Sequence, residues 1–174
     1  MTARFRVALI STGGTIEKTY DALEGALHNS ISVLDLLVAR LDLKGVELVR
    51  VSLMNKDSLE MMDSDHTLIA KTALAMAAIY DGVVVVHGTD RLQYSGERTV
   101  ELMEQALVPI VYTGAMVPYD FRHTDAVQNV TESLLAVQIL SPGVYSVFHN
   151  QVLRFPGVVK DRARGCFIRE EGKP

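Results

Sequence analysis

The chain has 174 residues, of which 48% are hydrophobic, and a formal net charge of −4 at pH 7. That length can bury a core, and we expect one domain over residues 1–174. The acidic balance argues against nucleic acid or a membrane surface as a partner. We expect neither a signal peptide nor a transmembrane helix, because no apolar run is long enough. The single Cys166 excludes an intrachain disulfide and a thiolate metal cluster, so we expect a reduced, cytoplasmic protein.

The first predicted element is a buried strand over Phe5–Ile10, and a glycine turn follows it. That turn reads Ser11-Thr12-Gly13-Gly14-Thr15-Ile16. In α/β proteins a strand that ends in such a turn can hold a hydroxyl nucleophile at the carboxyl edge of the sheet. An ordinary strand-to-loop turn or a phosphate-binding loop would also fit, although neither G-x-x-x-x-G-K-[ST] nor G-x-G-x-x-G is present.

The next segments alternate between loop, helix and strand. Residues 17–25 are polar and predict a mobile loop that contains Tyr20. Ile31–Ala39 predicts a short amphipathic helix with Ser30 as its cap, and Val46–Leu53 predicts a strand near the sheet edge. A second helix follows, capped by Ser64 or Asp65. Its apolar stripe consists of Leu68, Ile69, Thr72, Ala73, Met76, Ala77 and Tyr80.

Four consecutive valines, Val83–Val86, predict a strand buried on both faces. His87-Gly88-Thr89-Asp90 follows, and then a helix around Glu97 to Gln105. The Thr and Asp could belong to a site or simply cap that helix. The stretch Leu107–Met116 has the same pattern, a predicted strand followed by a turn that begins with Thr-Gly.

The last predicted elements are a helix, a strand and a hairpin. The helix runs from about Thr124 to Leu140, and the fifth strand covers Val144–His149. Val152–Phe155 predicts its hairpin partner across Asn150-Gln151. The tail, residues 156–174, is charged and weakly patterned.

This alternation predicts an α/β fold, a doubly wound and mostly parallel sheet with a C-terminal β-hairpin. In a flavodoxin-like strand order, 2-1-3-4-5, the first and third strands are neighbours, and their carboxyl ends border the ligand crevice. We therefore expect the Thr15 turn and the Thr89-Asp90 turn to face each other.

With both turns identified, the chain resembles the N-terminal domain of the bacterial-type L-asparaginases. The likeness runs from about Val7 to Lys160. It rests on T-G-G-T-I at Thr12–Ile16, H-G-T-D at His87–Asp90, G-A-M at Gly114–Met116, and Lys160 beyond the hairpin. Four motifs in the right order are a specific signal, whereas one alone would be weak.

The resemblance implies a reaction and a set of catalytic residues. Thr15 matches the family nucleophile, which attacks the side-chain amide of L-asparagine to give a β-aspartyl ester. Tyr20 matches the loop tyrosine that closes over it. Thr89, Asp90 and Lys160 match a second triad, in which the lysine draws a proton through the Thr89 hydroxyl. Neither a metal nor a cofactor is implied.

The resemblance also implies how the substrate is held. Asp90 matches the carboxylate that binds the α-ammonium, and Ser58 matches the residue that binds the α-carboxylate. A backbone N–H near Thr89 would hold the oxyanion. Without the resemblance, Lys160 could be a solvated tail cation and Ser58 a turn residue. The implied substrate-binding positions are Gly14, Asp57, Ser58, Thr89, Asp90 and Ala115.

Two features depart from the family pattern. Family members usually carry a second, C-terminal domain, which we expect to be missing here, and Leu59 stands where the family often has Gln. Because the family completes its sites between subunits, we expect a homo-oligomer, a dimer or a tetramer. Two alternatives stay open: a non-catalytic asparagine or aspartate sensor, and an amidohydrolase subunit that acts on a larger amide such as misacylated tRNA.

Overall fold

The computed structural model describes residues 4–17, 19–21, 26–28 and 32–170. Four helices and ten strands are described in these ranges, together with short 3-10 helices at Thr15–Glu17 and Ser58–Glu60. In chain order they are β1 (Phe5–Gly13), β2 (Thr19–Asp21), β3 (Ala26–His28), α1 (Val33–Val38), β4 (Val46–Lys56), α2 (Asp63–Ala77), β5 (Gly82–Val86), α3 (Leu92–Leu102), β6 (Pro109–Thr113), α4 (Ala126–Ile139), β7 (Gly143–Phe148), β8 (Gln151–Arg154), β9 (Val158–Asp161) and β10 (Cys166–Arg169).

The main sheet has six strands in the order β4-β1-β5-β6-β7-β8. The first five are parallel and β8 is antiparallel to β7. This arrangement confirms the predicted flavodoxin-like order with a C-terminal hairpin. It also places β1 beside β5, with Ser11 paired to Val86, so the turns that follow these two strands lie side by side.

Each face of the sheet carries its own core. Val7 and Leu9 pack with α1 and α4 on one face, whereas Ala8 and Ile10 pack with α2 and α3 on the other. The valines of β5 divide in the same way, because successive side chains of a strand point to opposite faces. Helices on both faces therefore make the fold doubly wound, and every residue of β5 is buried.

The starts of α2 and α3 differ from the predictions. The N-cap of α2 is Met62, whose N–H donates to the Asp65 carboxylate over 2.9 Å, so Asp65 caps the helix from inside its first turn. The helix α3 begins at Leu92, five residues before the predicted start, and its N-cap Arg91 makes no side-chain cap. Thr89 and Asp90 therefore do not cap α3, which leaves both side chains available for other contacts.

The polar segment after the first turn contains a small hairpin, in which β2 pairs with β3 and Tyr20 lies opposite Leu27. Within residues 17–25, which the sequence predicts to be a mobile loop, Thr19–Asp21 is therefore a strand. The predicted cap Ser30 lies outside the described residues, and the N-cap of α1 is Ser32.

The C-terminal region is more ordered than its charge pattern predicts. The turn between β7 and β8 consists of His149 and Asn150, with φ of 49° and 62°, one residue earlier than expected. The tail forms a second hairpin, in which β9 pairs with β10 and buries Val158 and Phe167. This hairpin places Lys160 near the main sheet. No helix among the described residues is long and apolar enough to span a bilayer.

Candidate active site

Two glycine turns make the floor of the candidate site. Gly14 has a φ of 90°, and a methyl group added to it would lie 2.5 Å from the Gly88 Cα and 2.6 Å from the Gly88 nitrogen. Only glycine fits there, because any larger residue would be strained and would meet the facing backbone. The contact holds the turn after β1 against the turn after β5. Thr15 and Thr89 are the residues that directly follow these two glycines.

The two threonines of the first turn have different surroundings. The Thr12 hydroxyl is buried and donates to the Val86 carbonyl over 3.0 Å, which ties it to β5. Thr15 is half-buried and begins the 3-10 helix, where the Glu17 N–H donates to the Gly14 carbonyl over 3.1 Å. Thr15 is therefore the better placed of the two to meet a substrate.

Thr89, Asp90 and Lys160 are in direct contact although about 70 residues separate them in the chain. The Lys160 Nζ donates to the Thr89 Oγ1 over 2.7 Å and to the Asp90 Oδ1 over 3.0 Å. Only 14% of the Lys160 side chain and 26% of the Asp90 side chain are exposed. The main chain of Lys160 is also fixed, because its N–H donates to the Gln93 Oε1 over 3.0 Å. Proton exchange between Lys160 and Thr89 needs no rearrangement at this distance.

Arg162 was missed by the sequence reasoning. Its Nη2 lies 3.2 Å from the same Asp90 Oδ1, and 69% of its side chain is exposed. Lys160 lies in β9, and Arg162 directly follows that strand. The charged composition of the tail gave no indication of this strand. Two cations therefore share one carboxylate oxygen, and the exposed one is the easier to displace.

Asp57 and Ser58 lie at the start of the 3-10 helix that follows β4. The Asp57 carboxylate accepts the Leu59 N–H over 3.0 Å and so caps that helix. Ser58 is buried, and a methyl group added to Gly88 would lie 2.6 Å from its Oγ. Ser58 thus packs directly against the second turn, while Leu59 is exposed.

The loop after β6 carries Ala115, which is buried. The Asp125 carboxylate holds this loop by accepting the N–H groups of Met116 and Val117 over 3.0 and 2.9 Å, and it also accepts from His149. Burial alone would raise the pKa of Asp125, but these hydrogen bonds outweigh it and lower that pKa.

Behind the second turn lies a buried polar chain that sequence reasoning missed. The Ser95 Oγ is 2.8 Å from the His66 Nδ1 and 2.8 Å from the His87 Nε2, and the His87 Nδ1 is 2.8 Å from the Gly88 carbonyl. Burial lowers the pKa of His87 to about 4, and it also lowers the pKa of His66. The only feature of the sequence that could have indicated these hydrogen bonds is the histidine of H-G-T-D, which a serine follows eight residues later.

The backbone of Tyr20 lies in β2, and its role over Thr15 stays a prediction. Among the described residues, no group of three or more His, Cys, Asp or Glu side chains is arranged to hold a metal ion.

Comparison with known families gives one match that covers most of the chain. Residues 6–166 match the family described as "Asparaginase, N-terminal". An L-asparaginase from Thermococcus kodakarensis is 28% identical over 162 residues, which are 92% of this chain and 49% of that protein. One component of the glutamyl-tRNA(Gln) amidotransferase of Halobacterium salinarum is 37% identical over 143 residues, 81% of this chain and 33% of that component. The chain thus spans half or less of the length of these relatives.

Solved structures give the same picture of the fold. The thermostable L-asparaginase from Thermococcus kodakarensis superposes with a TM-score of 0.85 and 25% identity, over 95% of this chain and 51% of that one. A probable cytoplasmic L-asparaginase from Campylobacter jejuni gives a TM-score of 0.75 and 26% identity, over 92% of this chain and 49% of that one.

Proposed function

We propose that this chain hydrolyses L-asparagine to L-aspartate and ammonia. The chain belongs to the asparaginase family, and it assembles the contacts described above. The observation that carries the proposal is the part-buried contact of Lys160 with Thr89 and Asp90, beside the turn that contains Thr15. A lysine 2.7 Å from a threonine hydroxyl at the carboxyl edge of a parallel sheet has the means to move a proton at the reacting centre.

In the proposed reaction the Thr15 hydroxyl oxygen attacks the side-chain amide carbon, and its proton passes to a neighbouring base. Collapse of the tetrahedral intermediate breaks the C–N bond, and the leaving nitrogen takes up a proton to depart as ammonia. Water then attacks the β-aspartyl ester and returns the proton to Thr15. Tyr20 is proposed to close over Thr15 from the β2 side.

The substrate's α-groups would be held by the second turn and by Ser58. Asp90 is proposed to bind the α-ammonium, and Arg162 would have to move aside, which its exposure allows. Ser58 would bind the α-carboxylate, with the Gly14 and Asp57 main chain beside it. The Thr89 N–H and the Ala115 loop are proposed to border the amide, with the N–H stabilising the oxyanion.

The primary test is ammonia release from L-asparagine by the wild-type protein and by two variants. Thr15→Ala should remove turnover while leaving aspartate binding intact, because only the nucleophile is lost. Lys160→Met should lower kcat by about 10²- to 10⁴-fold, as expected for loss of a proton-transfer group. Lys44→Met is the matched control, because the Lys44 side chain is 87% exposed and pairs locally with Asp42. Equal activity of the Lys160 and Lys44 variants would refute the role of Lys160.

Selectivity gives a second test. Because Asp90 and Ser58 would fix the α-groups, the length of the substrate side chain decides whether its amide carbon lies within reach of the Thr15 hydroxyl. We expect kcat/KM for L-glutamine to be roughly a hundredfold lower than for L-asparagine, since misplacement by about an ångström has that effect. Comparable values for the two amides would contradict this arrangement.

A second candidate function is favoured by the 37% identity to an amidotransferase component, which exceeds the 28% identity to an L-asparaginase. A chain of that kind would act on an amide as part of an assembly with glutamyl-tRNA(Gln). The net charge of −4 argues against direct binding of RNA by this chain. Ammonia release from free L-asparagine by the purified chain favours the first function. Binding of aspartate without turnover would instead favour a sensor.

We also propose that the active form is a cytoplasmic homo-oligomer, a dimer or a tetramer. Leu135 and Ile139 on α4 and Val152 on β8 are 60%, 75% and 49% exposed, and they lie along one groove beside the edge strand. Apolar side chains gathered in this way are typical of a protein–protein contact surface, which we propose that a second copy of this chain covers. Molar mass by light scattering should be measured with activity across a dilution series. A fully active monomer would refute the proposal.

A further inference from the structure

The buried chain behind the second turn has a fixed direction. A carbonyl oxygen can only accept a hydrogen bond, so the His87 Nδ1 must carry a proton and donate it to the Gly88 carbonyl. Burial lowers the pKa of His87 to about 4, so the ring is neutral at pH 7 and its Nε2 is an acceptor. The group 2.8 Å from that nitrogen, the Ser95 hydroxyl, is therefore the donor.

The direction then extends to the second histidine. The Ser95 hydroxyl has one proton, and it is used in the bond to His87. The Ser95 oxygen must therefore accept the bond from the His66 Nδ1, 2.8 Å away. All three hydrogen bonds point the same way, from α2 through α3 to the turn after β5. They end on the Gly88 carbonyl, which shares a peptide group with the Thr89 N–H.

We propose that His66, Ser95 and His87 are positioning residues that orient and polarise the Gly88–Thr89 peptide group for the reaction. The proposal rests on the proposed amide hydrolysis, in which the Thr89 N–H stabilises the oxyanion. A peptide carbonyl that accepts a hydrogen bond makes the N–H of the same peptide a stronger donor, and aligned bonds reinforce one another in a low-dielectric interior.

The surroundings of the turn support a positioning role. His66, Ser95 and His87 are all buried, and the two imidazole rings stack with their centroids 6.1 Å apart. Gly14 and Ser58 also pack closely on Gly88, where an added methyl group would lie 3.3 Å from the Gly14 Cα and 2.6 Å from the Ser58 Oγ, so the peptide has little room to rotate. The Thr89 hydroxyl lies 2.7 Å from the Lys160 Nζ, and a small rotation of the peptide before it would change that contact.

The kinetic experiment uses Ser95→Ala, Ser95→Thr and a matched control. Ser95→Ala should lower kcat for L-asparagine by about 10- to 100-fold, the range expected when a catalytic peptide is misplaced or loses polarisation. KM should change by less than about threefold, because the Asp90 and Ser58 side chains that would hold the α-groups make none of the three hydrogen bonds that run through Ser95. Ser95→Thr keeps the hydroxyl and should restore kcat. In Ser133→Ala, another fully buried serine is lost from α4, and kcat should not change.

The second measurement does not depend on activity. Histidine ring ¹⁵N spectra at pH 7 should show both His66 and His87 as the neutral form protonated at Nδ1. The Thr89 amide resonance should shift in Ser95→Ala and stay in place in Ser133→Ala. If Ser95→Ala does not fold, the pair His66→Leu and His66→Asn replaces it, since Asn keeps a donor near the position of Nδ1.

Three results would overturn the relay: His87 protonated at Nε2, an unmoved Thr89 amide in Ser95→Ala, or an unchanged kcat in that variant. A wild-type protein that releases no ammonia would refute the proposed function instead. The spectra would still decide whether the three side chains act on the Gly88–Thr89 peptide.

Discussion

Lowering the pH from 7 to 5 should destabilise this protein by about 2 kcal/mol through His87 alone. Burial lowers the pKa of this imidazole to about 4, although its hydrogen bond to the Gly88 carbonyl partly opposes that effect. In the unfolded chain the ordinary value of about 6.5 applies. Between these two values the unfolded chain binds a proton that the folded chain does not, so stability is full above pH 6.5 and is lost as the pH falls.

The size of the effect follows from that difference. The difference between a pKa of about 6.5 in the unfolded chain and about 4 in the folded protein corresponds to a limit of about 3 kcal/mol, of which about 2 kcal/mol falls between pH 7 and 5. The ring is fully buried, so solvent does not screen the effect. The pKa of His66 is lowered by burial and by the Arg91 charge, and it adds in the same sense. Glu17 acts in the opposite sense, because burial raises the pKa of its carboxyl.

The assay is urea unfolding at pH 7, 6 and 5 for the wild type, His87→Asn and His123→Gln. His87→Asn cannot titrate, so its stability should fall by about 2 kcal/mol less than that of the wild type over this range. His123 is exposed, and its variant should follow the wild type. An identical pH dependence in wild type and His87→Asn would refute the reasoning, as would a folded-state His87 ring that titrates near its ordinary pKa.

Three further predictions concern thermal and urea unfolding. Gly14→Ala should cost about 2–4 kcal/mol, because its φ is positive and the new methyl group would meet Gly88, whereas Gly165→Ala, with open space around it, should cost about 1 kcal/mol. Asp125→Ala should cost about 2–4 kcal/mol by leaving two loop N–H groups without their acceptor. Ser146→Ala should be neutral or stabilise by about 1 kcal/mol, because this buried hydroxyl has no hydrogen-bond partner among the described residues.

Each of these predictions has a clear contrary outcome. Equal losses at Gly14 and Gly165 would show that the facing backbone at Gly14 can move aside. A stable Asp125→Ala variant would show that water replaces the carboxylate in the loop. A destabilised Ser146→Ala variant would show that its hydroxyl does find a partner in solution.

The sequence by itself determined the fold class, the strand order and the two turns that face each other. These features follow from patterns that can be recognised in the sequence: a run of four valines between glycines is typical of a strand buried on both faces, and strand–helix alternation favours parallel pairing. The motifs at Thr15 and Thr89 lie at the carboxyl ends of adjacent strands, so the topology alone brings them together.

Tertiary structure alone decided the rest, because those features depend on partners that are distant in the chain. The tail looked unpatterned because β9 and β10 have 4 residues each, too few for a periodic signal. The resemblance implied that Lys160 lies with Thr89 and Asp90, but it is the pairing of β9 with β10 and the burial of Phe167 that bring it there. The relay from His66 to His87 joins two helices and a strand end, and no spacing in the sequence records it. Burial removes water from these polar groups, so each must find a protein partner, and only the packed fold determines which one.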